Sequence, residues 1–172
     1  MGTFVGAKAR YETDRNAARQ QAVSNLAPDL KVNFQITGWS SKARQATLDQ
    51  WNRKEGQGWN WNEIFRRHHD PDRLDIAVWS PQDRLSALAL GLTTGECVEI
   101  RFLEGDPRQD CPLKGRRALI VLECAACYAQ ARGRSELRVR PINKRLETLY
   151  VEIYGFQLAT PSRGQAYYFK RV

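Results

Sequence analysis

Residues 112–133 read PLKGRRALIVLECAACYAQARG, and Lys114, Gly115, Arg116 and Arg117 stand directly before a long apolar run. If that run is a helix, its first turn carries unpaired backbone N–H groups and the positive end of the helix dipole. Three cations at that point are repelled unless an anion joins them. A phosphate or pyrophosphate would satisfy the N–H donors and the cations together, and Gly115 would let the backbone approach it closely. The plainer reading is a solvated basic loop that happens to hold a glycine. Within the run, Cys124 and Cys127 share a helical face with Ile120 and Ala131. A structural zinc site needs a second ligand pair at matched spacing, and His68 and His69 are adjacent and point apart, so core packing is expected and no metal.

The elements that position these residues must fit in 172 residues of 42% hydrophobic composition, a size suited to one domain with a proper core. A net charge of +8 attracts nucleic acid, acidic proteins or anionic cofactors, and the cations thicken between Lys114 and Arg145. No run approaches the roughly 20 apolar residues that span a bilayer. The start of the chain has no apolar core of signal-peptide length, and MGTFVG lacks the Ser or Thr at the sixth position of a myristoylation signal. The expectation is a cytoplasmic protein with reduced cysteines and no membrane partner.

Residues 1–30 read as an N-terminal extension, with a weakly amphipathic helix over Arg15–Leu26 stopped by Pro28. KVNFQIT alternates as a half-buried strand, SKARQATLDQWNRK reads as a short helix, and EGQGWNWN as an aromatic, Gly-rich loop. Asn62 is the expected cap of a second short helix, EIFRRHH. RLDIAVW, RLSALALGLTT and ECVEIRFLEG then form an antiparallel meander with a turn at SPQD. After the apolar helix come a short strand, ELRVR, a helix, NKRLETLYVEIY, capped by Asn143 and stopped by Gly155, and a closing hairpin, FQLAT and QAYYFKRV. Strand–helix–strand implies one parallel pair, ECVEIRFLEG with ELRVR, inside an otherwise antiparallel sheet.

Residues 32–172 resemble the GNAT superfamily of acyl-CoA-dependent N-acyltransferases in element order. The resemblance is carried by PLKGRRALIVLECAACYAQARG, similar to the family's pyrophosphate loop and helix, and by VRPINKRLETLYVEIYGF, similar to its strand, Asn-capped helix and terminal Gly-Phe. The implied architecture is α/β: a single domain over 31–172 with a mixed, mostly antiparallel twisted sheet and helices on both sides. Two departures stand out. Pro112 and Arg117 occupy positions where the family loop has Arg or Gln and a small residue. One extra residue separates Tyr150 from Gly155.

The resemblance implies that the two parallel strands splay and that the pantetheine arm of acetyl-CoA, as co-substrate, lies between them. Lys114, Gly115, Arg116, Arg117 and Ala118 would then hold its pyrophosphate, with Asn143 and Tyr150 across the cleft. A backbone N–H freed near Phe102 or Leu103 would receive the oxyanion. Glu99 and Glu104, on the strand bordering the acyl group, are the candidate bases, directly or through water. Tyr150 resembles the family's general acid. Tyr154 is its rival because of the extra residue, and a core position is its bland alternative. Trp59, Trp61 and His68, near Trp51 and His69, would shape the acceptor pocket, as a lid or packed over the core edge.

The leading expectation is transfer of an acetyl group from acetyl-CoA to a primary amine by direct attack. The rivals are a catalytically silent GNAT-like module binding nucleic acid or protein, and a toxin-like acetyltransferase acting on an RNA-borne amine. Arg132, Arg134, Arg138, Arg140, Lys144 and Arg145 are the candidate phosphate contacts, or else solvated charge. A monomer and a homodimer both fit.

Overall fold

The computed structural model describes residues 4–54 and 56–172. Residues 1–3 of the expected extension and Glu55 of the expected loop lie outside them. Seven strands form one sheet: β1 (Gln35–Thr37), β2 (Leu74–Ser80), β3 (Arg84–Thr94), β4 (Cys97–Gly105), β5 (Glu136–Val139), β6 (Gln157–Ala159) and β7 (Tyr167–Arg171), in the order β1-β2-β3-β4-β5-β7-β6. Only β4 and β5 run parallel. The apolar alternation on either side of Thr94–Cys97 explains the long β3–β4 ladder. Expectation and structure differ more at β1, because residues before Gln35 leave the sheet.

One face of the sheet carries α1 (Phe4–Leu26) and α4 (Arg117–Ala131), packed through Ala18, Ala22, Ile120, Cys124 and Tyr128. All four cysteines are buried and free, and burial pushes the Cys124 thiol up to about 12. The other face carries α2 (Ser41–Asp49) and α3 (Trp61–Arg67) over Trp39, Trp51, Trp61 and Leu88. The helix α3 is capped by the side chain of Asn60, which accepts from Glu63 N–H at 3.1 Å, rather than by Asn62.

The helix α1 is longer than Arg15–Leu26 and belongs to the core. Its buried stripe is concealed in the sequence because two of its members are arginines. Arg15 Nη1 donates to the carbonyls of Pro71 and Arg73 at 2.7 and 3.0 Å. Arg19 Nη2 donates to the carbonyl and carboxylate of Asp75 at 2.7 and 2.9 Å. Hydrogen-bonded in this way, buried guanidinium groups act as ties between α1 and β2. Among the described residues no helix is long and apolar enough to cross a membrane.

Candidate active site

The strands β4 and β5 pair from Cys97 with Glu136 to Ile100 with Val139 and then part. Pro141 follows β5 and cannot donate to a ladder. The strand β4 continues to Gly105, paired only with β3. A bulge starts the parting: Leu90 faces Phe102 and Gly91 faces Ile100, so Arg101 has no opposite residue. Because a strand alternates, one of the Phe102 and Leu103 N–H groups faces β3 and the other the gap.

The gap is a slot of about 30 Å³ lined by Trp59, Ile100, Arg101, Leu103, Val139, Arg140 and Tyr150, among others. It shares Leu103 and Leu146 with a cavity of about 540 Å³. That cavity runs from Gly105, Lys114, Gly115, Arg117 and Ala118 to Asn143, Arg145, Thr148 and Glu152. A larger hollow of about 710 Å³ at the β1 edge holds none of the expected residues; chemistry, not size, marks the slot and its cavity as the site.

At the α4 end, Gly115 has φ +83°, a left-handed conformation that a side chain strains. No side-chain oxygen caps α4 at Arg116, and its first turn holds no acidic residue. The backbone donors there remain available to an anion. The three cations are not equivalent. Arg117 folds back so that Nη1 donates to the Asp106 carbonyl at 2.6 Å, and its guanidinium lies against Gly105, where a Cβ would collide with it. Lys114 Nζ contacts Gln109 Oε1. Arg116 is exposed and lies outside the cavity lining, and its charge partly offsets the burial that raises the Tyr154 pKa. The Asp106 carboxyl under this loop is held below its ordinary range: burial pushes it up, and hydrogen bonds from Arg108 and Arg84 outweigh that.

Across the cleft, Asn143 Oδ1 caps α5 (Lys144–Thr148) by accepting from Leu146 N–H at 2.9 Å. The helix then widens into a π turn, Leu149–Ile153, closed by Tyr154 N–H on the Leu149 carbonyl at 3.2 Å. A π turn absorbs one residue into a helix, which accounts for the extra residue between Tyr150 and Gly155. Tyr150 is buried and lines the slot, whereas Tyr154 is half-buried and does not. Burial, then the neighbouring Tyr154, pushes the Tyr150 phenol up to about 12.

The carboxylates and aromatics lie on the α3 face of the sheet. Glu104 is a clamp: Arg53 Nη1 is 2.7 Å from each of its oxygens, and Trp59 N–H and Trp61 Nε1 both donate to Oε1 at 2.9 Å. Gly58 (φ +74°) permits the loop to pass, since a Cβ there would strike Arg53 and Glu104. Glu99 is buried, and its Oε1 lies 3.1 Å from Arg140 Nε and 3.3 Å from Arg101 Nε without an aligned hydrogen bond. Trp59 stacks edge-on against Phe102 at 5.0 Å, and His68 lies 5.5 Å from Phe102. Trp61, by contrast, is core, packed against Trp39 at 5.3 Å.

The expected residues therefore divide. Leu103, Lys114, Gly115, Arg117, Ala118 and Asn143 line the cavity, and Tyr150 and Trp59 line the slot. Phe102, His68 and Glu99 lie on the opposite face, that of α3. Arg53, Arg101 and the cavity residue Arg145 were not among the expected cleft residues. Arg145 could have been found from its position two residues after the Asn143 cap; Arg53 leaves no local signal. The basic cluster is mostly engaged within the chain. Arg132 pairs with Asp14 at 2.8 Å, Arg134 donates to the Gly95 carbonyl at 2.6 Å, and Arg138 pairs with Glu136 at 3.0 Å under the Tyr167 ring.

No family model and no curated protein matches the sequence. Solved structures do match. Ard1 from Thermoplasma volcanium aligns with TM-score 0.60 at 14% identity, over 82% of this chain and 99% of that one. PaiA N-acetyltransferase from Thermoplasma acidophilum, in complex with coenzyme A, aligns with TM-score 0.58 at 16% identity, over 81% and 99%. The GNAT domain of PAT from S. lividans aligns with TM-score 0.59 at 14% identity, over 81% and 90%. The chain has the GNAT fold, an α/β sheet with one parallel pair at its centre.

Proposed function

We propose, with this fold as premise, that the chain is an acetyl-CoA-dependent N-acetyltransferase acting on a primary amine by direct attack. One observation carries the reading: the parting of β4 and β5 opens a slot at Tyr150 that continues into a cavity ending at the Gly115 turn and the uncapped start of α4. The coenzyme A complex of the similar T. acidophilum protein supports it.

Acetyl-CoA supplies the thioester. The Gly115 turn and the first N–H groups of α4 receive its pyrophosphate, with Lys114, Arg116 and Arg145 as the cations within reach. The partnerless edge of Arg101–Gly105 offers strand-like hydrogen bonds to an extended arm. The N–H of Phe102 or Leu103 that faces the gap stabilises the oxyanion formed when the amine attacks the carbonyl carbon. Glu99 takes the proton the amine loses, through water. Tyr150 gives its proton to the departing sulfur. Its phenol, pushed up to about 12 by burial, is protonated at neutral pH. Glu104 is a positioning residue that fixes Trp59 at the slot.

A second reading, a silent GNAT-like module, is favoured by the arginine pairing of both carboxylates. Calorimetry with acetyl-CoA, followed by assay of CoA release with an amine panel, separates the two. Binding with amine-dependent release supports the enzyme, and binding without release supports the module.

A further inference from the structure

Arg101, at the β4 bulge, and Arg140, directly after β5, flank the parted strands and both line the slot. Each turns its Nε toward the same oxygen of Glu99, at 3.3 and 3.1 Å. The Glu99 side chain is 6% exposed, whereas Arg101 and Arg140 are 42% and 44% exposed. Two cations thus share one carboxylate, and neither aligns a hydrogen bond with it. The outer edges of the guanidinium groups stay available. Arg140 Nη1 reaches only Gln165 Oε1, at a long 3.4 Å, and Arg101 has no other polar contact among the described residues. The neighbouring Arg138 adds no charge to the site, because Glu136 neutralises it.

The mouth of the slot therefore carries an uncompensated positive charge. That is unfavourable for a plain ammonium ion, which the two guanidinium groups repel. It is favourable for an amine that brings its own anion. Guanidinium forks match planar or tetrahedral oxyanions through paired N–H donors, and such charge-assisted bonds are about twice as strong as neutral ones.

We propose that the acceptor is a small amine bearing an oxyanion, a carboxylate or phosphate, close to the nucleophilic nitrogen, and that Arg101 and Arg140 grip that group. The proposal rests on the reading of the slot as the place of acetyl transfer. The oxyanion holds the acceptor on the α3 face, against Trp59 and Phe102, so that its nitrogen enters between β4 and β5. The anion also offsets the repulsion that the arginines exert on the approaching amine.

The test compares matched acceptors on the full chain saturated with CoA: alanine against ethylamine, and O-phosphoethanolamine against ethanolamine. Binding is read by calorimetry and, with acetyl-CoA, transfer by CoA release. At least one anionic member should bind more than 10-fold tighter than its partner. The pair with the larger gain identifies carboxylate or phosphate as the source. In Arg101→Gln and Arg140→Gln the gain should fall to within about 2-fold, and Arg101→Lys, which keeps the charge but loses the fork, should retain only part of it. Equal binding within both pairs, or a gain that survives both glutamine variants, overturns the proposal. Selective, arginine-dependent binding without transfer would keep the oxyanion site and overturn the acetyltransferase reading. Transfer without anion preference would do the reverse.

Discussion

Nη1 of Arg53 lies 2.7 Å from both carboxylate oxygens of Glu104, and this pair joins the aromatic loop to the end of the strand that borders the slot. Both side chains are largely buried, at 17% and 13% exposure, so removing the cation leaves a buried carboxylate held only by the Trp59 and Trp61 N–H donors on Oε1. Arg53→Ala should cost about 2 kcal/mol of stability, discounted for residual exposure. It should also raise the acceptor KM several-fold, because the Trp59 carbonyl loses the hydrogen bond it accepts from Arg53 Nη1 at 2.9 Å, while acetyl-CoA affinity changes little. Equal losses in acceptor and acetyl-CoA binding would show that the clamp does not act on the acceptor side.

Tyr150 and Tyr154 sit 6.5 Å apart between ring centroids, at either end of the π turn, and only Tyr150 lines the slot. Tyr150→Phe should lower kcat by about 10²-fold with acetyl-CoA binding intact, the scale of a lost general acid. Tyr154→Phe should leave kcat within a few-fold. The opposite ranking would move the acid along the helix.

The extra residue between Tyr150 and Gly155 is visible in the sequence, but spacing alone cannot say whether the helix slips its register or widens. The π turn answers this, and the answer depends on tertiary packing of Tyr150 against Phe156, 5.7 Å away. The long β3–β4 meander, α4 and the Asn143 cap were legible because local periodicity and capping chemistry decide them. The full extent of α1 was not, since Arg15 and Arg19 look solvent-facing until Asp75 and the carbonyls of Pro71 and Arg73 supply their partners. Trp59 and Trp61 are two residues apart, yet α3 begins at Trp61 and turns it into the core while Trp59 stays in the loop. The Glu99–Arg101–Arg140 cluster was half legible. Arg140 is among the candidate phosphate contacts in the sequence, but its convergence with Arg101 on one carboxylate requires the β4 bulge.

Gly115 offers a sharper test of the cavity. Its φ is +83°, and an added Cβ would meet nothing within 4 Å. Gly115→Ala should therefore cost only backbone strain, on the order of 1 kcal/mol, measured as a lower Tm. Gly115→Asp adds a negative charge beside the expected pyrophosphate, and should weaken acetyl-CoA by 10-fold or more in calorimetry. Unchanged affinity in Gly115→Asp would remove the turn from the binding site.

Burial raises the thiols of Cys124 and Cys127 to about 12 and about 11, and the Tyr128 phenol to about 12. The folded state holds these protons more tightly than the unfolded chain, whose groups titrate near 9 and 10. The stability they contribute is complete below about pH 9 and is lost as pH rises toward 12. Under reducing conditions Tm should decline above about pH 9, and less steeply in Cys124→Ala. A flat profile to about pH 11 would show that these groups are solvated.

The central claim is tested most directly by mass spectrometry of a reaction holding the protein, acetyl-CoA and the panel of amines. The account predicts N-acetylated amine and free CoA in equal amounts, both formed about 10²-fold more slowly in Tyr150→Phe. Saturable acetyl-CoA binding with no acetylated amine from any member of the panel, or product formed equally well by Tyr150→Phe, would contradict it.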